Sequence, residues 1–165
     1  LNFPVAGGTS GHLLGGALAT ALLGPHAAVM AMSTVVVAQA LFFQDGGLTA
    51  LGANALNMAV LGPWSAYLIL QLLRRPQVAE RGRLDSQPLA AQWRLGFAAW
   101  VSVMIAAAAA GLELAVSHTA PLGVALGAML GWHSLIGVGE AFITMAAYSY
   151  VVRFRRDLVA TGLAV

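Results

Sequence analysis

The chain has 165 residues, 59% of them apolar and only 8% charged, and its formal net charge of +2 comes from eight arginines against six acidic residues, with no lysine. Soluble domains carry about a quarter charged residues, so this chain cannot coat itself for water, and a mean hydropathy of +0.81 assigns it to the membrane. The absence of cysteine excludes disulfides, thiolate metal sites and thiol catalysis, and the charge pattern does not imply nucleic acid.

No charged residue occurs between Leu1 and Gln44 or between Gly46 and Leu73. A span needs about 20 apolar residues, and in lipid the backbone must satisfy its own hydrogen bonds, so long apolar runs mean helices. The expected fold is all-α: one polytopic transmembrane helical bundle over residues 1–165, with short or broken helices near its site. Leu1-Asn2-Phe3-Pro4 has neither an initiator methionine nor the charged start of a signal peptide, so further chain is expected to precede it.

Gly7-Gly8-Thr9-Ser10-Gly11-His12-Leu13-Leu14-Gly15-Gly16 sets one imidazole among five glycines. Glycine lets backbone approach a ligand closely, and His12 alone in this stretch has a side chain suited to a transition metal at neutral pH. The plain alternative is a helix start with a solvent-facing histidine. A small-residue helix is expected from Gly11 to Leu23, ended by Gly24-Pro25. It is short for a span, hence either half of a broken helix or a tightly packed core helix.

A second helix runs from Pro25 to about Gln44, with proline in its first turn, and Asp45-Gly46-Gly47 makes a turn. In Leu48–Leu61, Asn54 and Asn57 stand at i, i+3 on one helical face. Such amides need partners in a membrane, on a neighbouring helix or around a ligand. Gly62-Pro63 echoes Gly24-Pro25 and is expected to interrupt the helix before Trp64–Leu73, as in transporters whose discontinuous helices line a site.

Residues 75–92 form the expected polar loop, and Gln92–Val116 a clean span with Glu113 near its end. Pro121–Val152 is about 48 Å long if wholly helical, and its glycines suggest a kinked or two-part segment, closed by Arg153, Arg155 and Arg156. The positive-inside bias puts residues 74–94 and 153–156 in the cytoplasm, and therefore His12 and His118 on the outer side. His26 reads as interfacial and His118 as solvated. His133 and Glu140 are seven residues apart, on one face but too distant for a direct bond. Each is expected to meet another helix, in a network that is either structural or functional. No catalytic set, phosphate loop or paired carboxylates occur, so the chain is not read as an enzyme, and transport energy must come from partners or a gradient.

The stretch Pro4 to Gly16, then Leu23-Gly24-Pro25, Gln39-Ala40-Leu41, Asp45 to Asn54 and Asn57-Met58, resembles the CbiM/NikM family, the substrate-capture membrane subunits of energy-coupling factor (ECF) transporters for cobalt and nickel. His133-Ser134-Leu135-Ile136-Gly137-Val138-Gly139-Glu140 is similar to that family's C-terminal stretch, and the resemblance covers nearly the whole chain. It implies a seven-helix bundle of which this chain holds roughly the last five. It also implies a nearly planar set of nitrogens for the metal: an N-terminal amine, the backbone and imidazole nitrogens of a Met-His start, and one loop imidazole. Only the last maps here, onto His12.

Co2+ or Ni2+ is then the transported substrate, with no catalytic cofactor. The implied partners are the ECF transmembrane coupling subunit, ATPase subunits and a small accessory membrane subunit, and the implied setting is the cell inner membrane and cobalamin biosynthesis. Thr9, Ser10, Asn54 and Asn57 are candidates for orienting the His12 ring. The arginine segments touch either the coupling subunit or anionic lipid. A bundle for a small organic substrate such as a vitamin, and a ligand-free structural bundle, are the competing readings.

Overall fold

The computed structural model describes residues 2–5, 9–44, 46–74 and 89–155. The chain starts with two antiparallel strands, β1 (Asn2–Val5) and β2 (Thr9–His12), in a register that sets Asn2 opposite His12 and Val5 opposite Thr9. The helix expected from Gly11 starts later, and α1 spans only Gly16–Leu23. Gly15 explains the late start. It sits in the left-handed region at φ 71°, ψ 0°, which a right-handed helix cannot include and which glycine adopts without steric cost. His12 therefore ends a strand.

Gly24 breaks the chain as expected, and α2 (Pro25–Phe42) follows with proline in its first turn. After the turn at residues 46–50 come α3 (Leu51–Asn54), a π-helical stretch (Ala55–Leu61) and α4 (Gly62–Leu72). These three are continuous and form one apolar rod, Leu51–Leu72. The expected interruption at Gly62-Pro63 does not occur. A proline inside a helix lacks an N–H and crowds the carbonyl four residues back. The wider π turn, where the Gly62 N–H reaches the Asn57 carbonyl, makes room for it. α1 packs closely here: a Cβ on Gly16 would lie 3.4 Å from the Pro63 ring, and Thr20 Oγ1 donates to the Pro63 carbonyl at 3.2 Å.

Helices α5 (Leu89–Val116) and α6 (Leu122–Phe154) pack along one another. α6 is a single 33-residue helix, which corrects the two-part expectation for Pro121–Val152. Three glycines of this pair serve close packing. A Cβ on Gly137 would fall 2.8 Å from the Trp100 ring, one on Gly96 2.9 Å from Met145 Sδ, and one on Gly111 2.9 Å from a Leu126 methyl. Small residues at such crossings let membrane helices approach, and Trp100 Nε1 donates to the Ser134 carbonyl across the same contact at 3.1 Å.

Among the described residues, four helical rods are long and apolar enough to cross a membrane: Pro25–Phe42, Leu51–Leu72, Gln92–Val116 and Leu122–Phe154. Arg74, Arg94 and Arg153 gather toward one end of the bundle, where Ala21, Leu70, Leu95, Ala98 and Tyr148 form a core cluster.

Packing around the glycines sets an order of sensitivities. Gly137→Ala forces the Trp100 ring aside and is expected to cost about 1–3 kcal/mol. Gly96→Ala meets only a flexible methionine and costs less, while Gly127→Ala, with nothing within 4 Å, stays within about 0.5 kcal/mol of the parent. Thermal unfolding of the detergent-solubilised protein checks this ranking.

Candidate functional site

A cavity of about 570 Å³ opens between β2, the 46–58 segment, the C-terminal half of α5 and the first turns of α6. Its polar lining includes His12, Asn54, Asn57, Glu113 and His133, set among Leu14, Met58, Val103, Met129 and several alanines, with Thr49, Ser117 and Thr119 also lining it. Since Arg94 and Arg153 sit at the opposite ends of α5 and α6, the cavity and the arginines occupy opposite ends of the bundle.

His12 is half-buried on the cavity wall. The backbone just after it is tied to α6: Glu140 accepts the Leu14 N–H on Oε2 at 3.0 Å and the Gly15 N–H on Oε1 at 2.7 Å. Glu140 is 3% exposed, and each of its carboxylate oxygens accepts one backbone donor that has no strand or helix partner. Charge-assisted bonds of this kind are among the stronger ones, and they explain why a carboxylate is tolerated at this depth.

His133 Nδ1 lies 2.8 Å from the Met129 carbonyl of its own helix. A carbonyl only accepts, so Nδ1 carries a proton there. No direct His133–Glu140 bond forms, as the spacing implied. Glu140 holds the 13–15 connector, whereas His133 lines the cavity.

Asn54 and Asn57 both line the cavity. The Asn54 amide lies where a Cβ at residue 46 would stand, and so closes on the Gly46 turn. Asn57, in the π-helical stretch, donates from Nδ2 to Glu113 Oε2 at 2.7 Å. Glu113 was not singled out as a site residue from the sequence, where its one signal was an ionisable group inside an apolar span. Thr9 and Ser10 lie on β2, and their side chains fall outside the described residues. His26 stacks edge-on against Trp64 at 5.3 Å and His118 is exposed on the α5–α6 turn at φ 56°; neither lines the cavity.

Chemically, the lining offers imidazole nitrogen, one carboxylate and amide oxygen, a set that favours a cation or a hydrogen-bond donor. Among the described residues, no three His, Cys, Asp or Glu side chains form a group able to hold a metal ion by themselves.

Residues 1–158 match the family model described as the cobalt uptake substrate-specific transmembrane region. The chain is 38% identical over 161 residues to a putative fused nickel transport protein of Archaeoglobus fulgidus, covering 96% of this chain and 50% of that protein. It is also 38% identical over 162 residues to a putative metal transport protein of Haloquadratum walsbyi, covering 98% of this chain and 69% of the relative. The chain thus spans about half to two thirds of these relatives' length. A crystal structure of a truncated transition metal transporter superposes with a TM-score of 0.77 at 31% identity, over 93% of this chain and 73% of the other.

Removal of the Glu140 carboxylate leaves two backbone donors unmet. Glu140→Ala is expected to destabilise the protein by about 1–3 kcal/mol for each N–H left buried without a partner. Glu140→Gln, whose single amide oxygen still accepts, recovers part of that loss in the same thermal unfolding measurement.

Proposed function

This chain belongs to the CbiM family, the substrate-specific transmembrane regions of cobalt uptake, and from that membership we propose that it captures Co2+ or Ni2+ for an ECF-type uptake transporter. The observation that carries the reading is the cavity wall: an imidazole at the end of β2 lines a polar pocket inside an apolar bundle, next to a connector that Glu140 holds in place. Imidazole suits both ions, and the general affinity order places Ni2+ above Co2+. His12 is the ligand this segment supplies, and a single donor calls for others from elsewhere in the full-length protein. Asn54 and Asn57, together with Thr9 and Ser10, are the groups proposed to orient the ring or the cargo around it.

Sidedness follows from charge. With the arginine-bearing segments 74–94 and 153–156 in the cytoplasm, the cavity opens on the outer side, where an uptake system meets its cargo. The family's named members are transport proteins, not enzymes, and the sequence carries no phosphate loop. ATPase subunits, a transmembrane coupling subunit and a small accessory membrane subunit would then supply and transmit the energy. The arginine end is the proposed face toward them, and toward anionic headgroups.

His12→Ala in the full-length protein tests this directly by isothermal titration with Ni2+ and Co2+. Affinity is expected to fall by at least about 100-fold, beyond the usual cost of losing a group outside the ligand shell, with the helical content unchanged. Undiminished affinity would overturn metal capture at this site and favour an organic substrate.

A further inference from the structure

The packing of α5 on α6 sets the depth of the polar groups along the cavity. Gly111 of α5 lies against Leu126 of α6, and Gly137 of α6 against Trp100 of α5, so the two helices run antiparallel. Glu113 is two residues nearer the α5–α6 turn than Gly111, and His133 is seven residues further from that turn than Leu126. At about 1.5 Å per residue, Glu113 is therefore rooted about 10 Å nearer the turn than His133. Glu140, which holds the amides just after His12, stands another seven residues further in. Ser117 and Thr119, exposed on the turn, line the cavity's rim. Glu113 thus belongs to the rim side of the cavity and His12 to its inner side.

Among the described residues that line the cavity, Glu113 is the acidic one, and no described arginine lines it. The C-terminal end of α5 and the N-terminal end of α6 meet at the turn, where their opposite partial charges largely offset each other. The carboxylate therefore supplies the net charge of this wall. Its Oε2 accepts Asn57 Nδ2 at 2.7 Å, and a neutral donor fixes the group without cancelling that charge. A carboxylate in a cleft with apolar walls focuses the field and raises the local concentration of cations.

We propose that Glu113 is the entry residue of the cavity, whose charge draws the divalent cation in from the rim and sets its rate of association without joining the final ligand set. The inference rests on the metal-capture reading above. An oxygen donor suits Co2+ and Ni2+ less well than imidazole, and the bond to Asn57 keeps the carboxylate at its own wall. The ion therefore passes Glu113 and settles at the nitrogen donor beyond it.

Stopped-flow mixing of Ni2+ with the full-length protein, in nanodiscs of zwitterionic lipid, separates association from dissociation. Glu113→Gln keeps an acceptor for Asn57 Nδ2 but removes the charge. It is expected to slow association about 3–10-fold at low salt, with dissociation within about twofold of the parent and the Ni2+ ligand-field bands in place. Glu113→Asp keeps the charge on a side chain one methylene shorter, and associates within about twofold of the parent. Raising the salt from about 0.02 M to about 0.5 M shortens the Debye length from about 20 Å to about 4 Å. That change slows the parent and Glu113→Asp but leaves Glu113→Gln nearly as it was. Association in Glu113→Gln as fast as in the parent overturns the proposal, as does a Glu113→Asp as slow as Glu113→Gln, a loss carried by dissociation, displaced bands, or one salt dependence shared by parent and Glu113→Gln. If Glu113→Gln does not fold, Glu113→Asp and the salt dependence of the parent decide the matter, and a parent indifferent to salt refutes the entry role. A protein that binds Ni2+ through His12 but ignores Glu113→Gln refutes this role alone, whereas indifference to His12→Ala refutes the capture reading beneath it.

Discussion

The grip of one carboxylate on two consecutive backbone amides organises the cavity end of this molecule. Glu140 stands on the longest helix and accepts the Leu14 and Gly15 N–H groups, at the point where β2 gives way to α1. Without it, the connector between strand and helix would carry unpaired donors into an apolar interior, where no water compensates them. With it, the strand that bears His12 is referenced to α6 and not merely to its own hairpin. The left-handed Gly15 is what aims both amides at one carboxylate.

A division of labour runs along the bundle. α5 and α6 form a pair packed through glycines and locked by Trp100, while the cavity is built where this pair meets the 46–58 segment and β2. The polar groups at that junction come from distant parts of the sequence: Asn57 and Glu113 are 56 residues apart, and Glu140 lies 126 residues from Leu14. Asn57, Glu113, His133 and Glu140 are each held by a hydrogen bond, and Asn54 closes on the Gly46 turn. That economy is what the cost of unpaired polar groups in lipid demands.

Much of this was legible in the chain, and the misreadings have physical reasons. Charge-free runs marked the spans, and Gly24-Pro25 marked a true break because no neighbouring turn absorbs it. Gly62-Pro63 looked identical on paper yet lies inside a continuous rod, since the π turn and the packing of Gly16 and Thr20 against Pro63 accommodate the ring. The hairpin leaves no signature in the chain because Gly-rich sequence has no strand periodicity, and Gly137, which on paper suggests a division of the segment, lies inside α6 as a seat for an indole. His12 and the asparagine pair stood out by residue type and spacing. Glu113 did not, because its importance comes from a partner on another helix, which no local pattern reveals.

The length of α6 has a mechanical corollary. At about 1.5 Å per residue, its 33 residues span about 50 Å against a hydrocarbon thickness of about 30 Å, and a typical tilt of about 20° shortens that projection by only a few ångströms. The helix must therefore stand proud of the acyl chains at one border or both. α6 carries Glu140 and its hold on the backbone beside the His12 strand within the same continuous helix as Arg153, so a displacement of the protruding stem is passed along one helix to the cavity end.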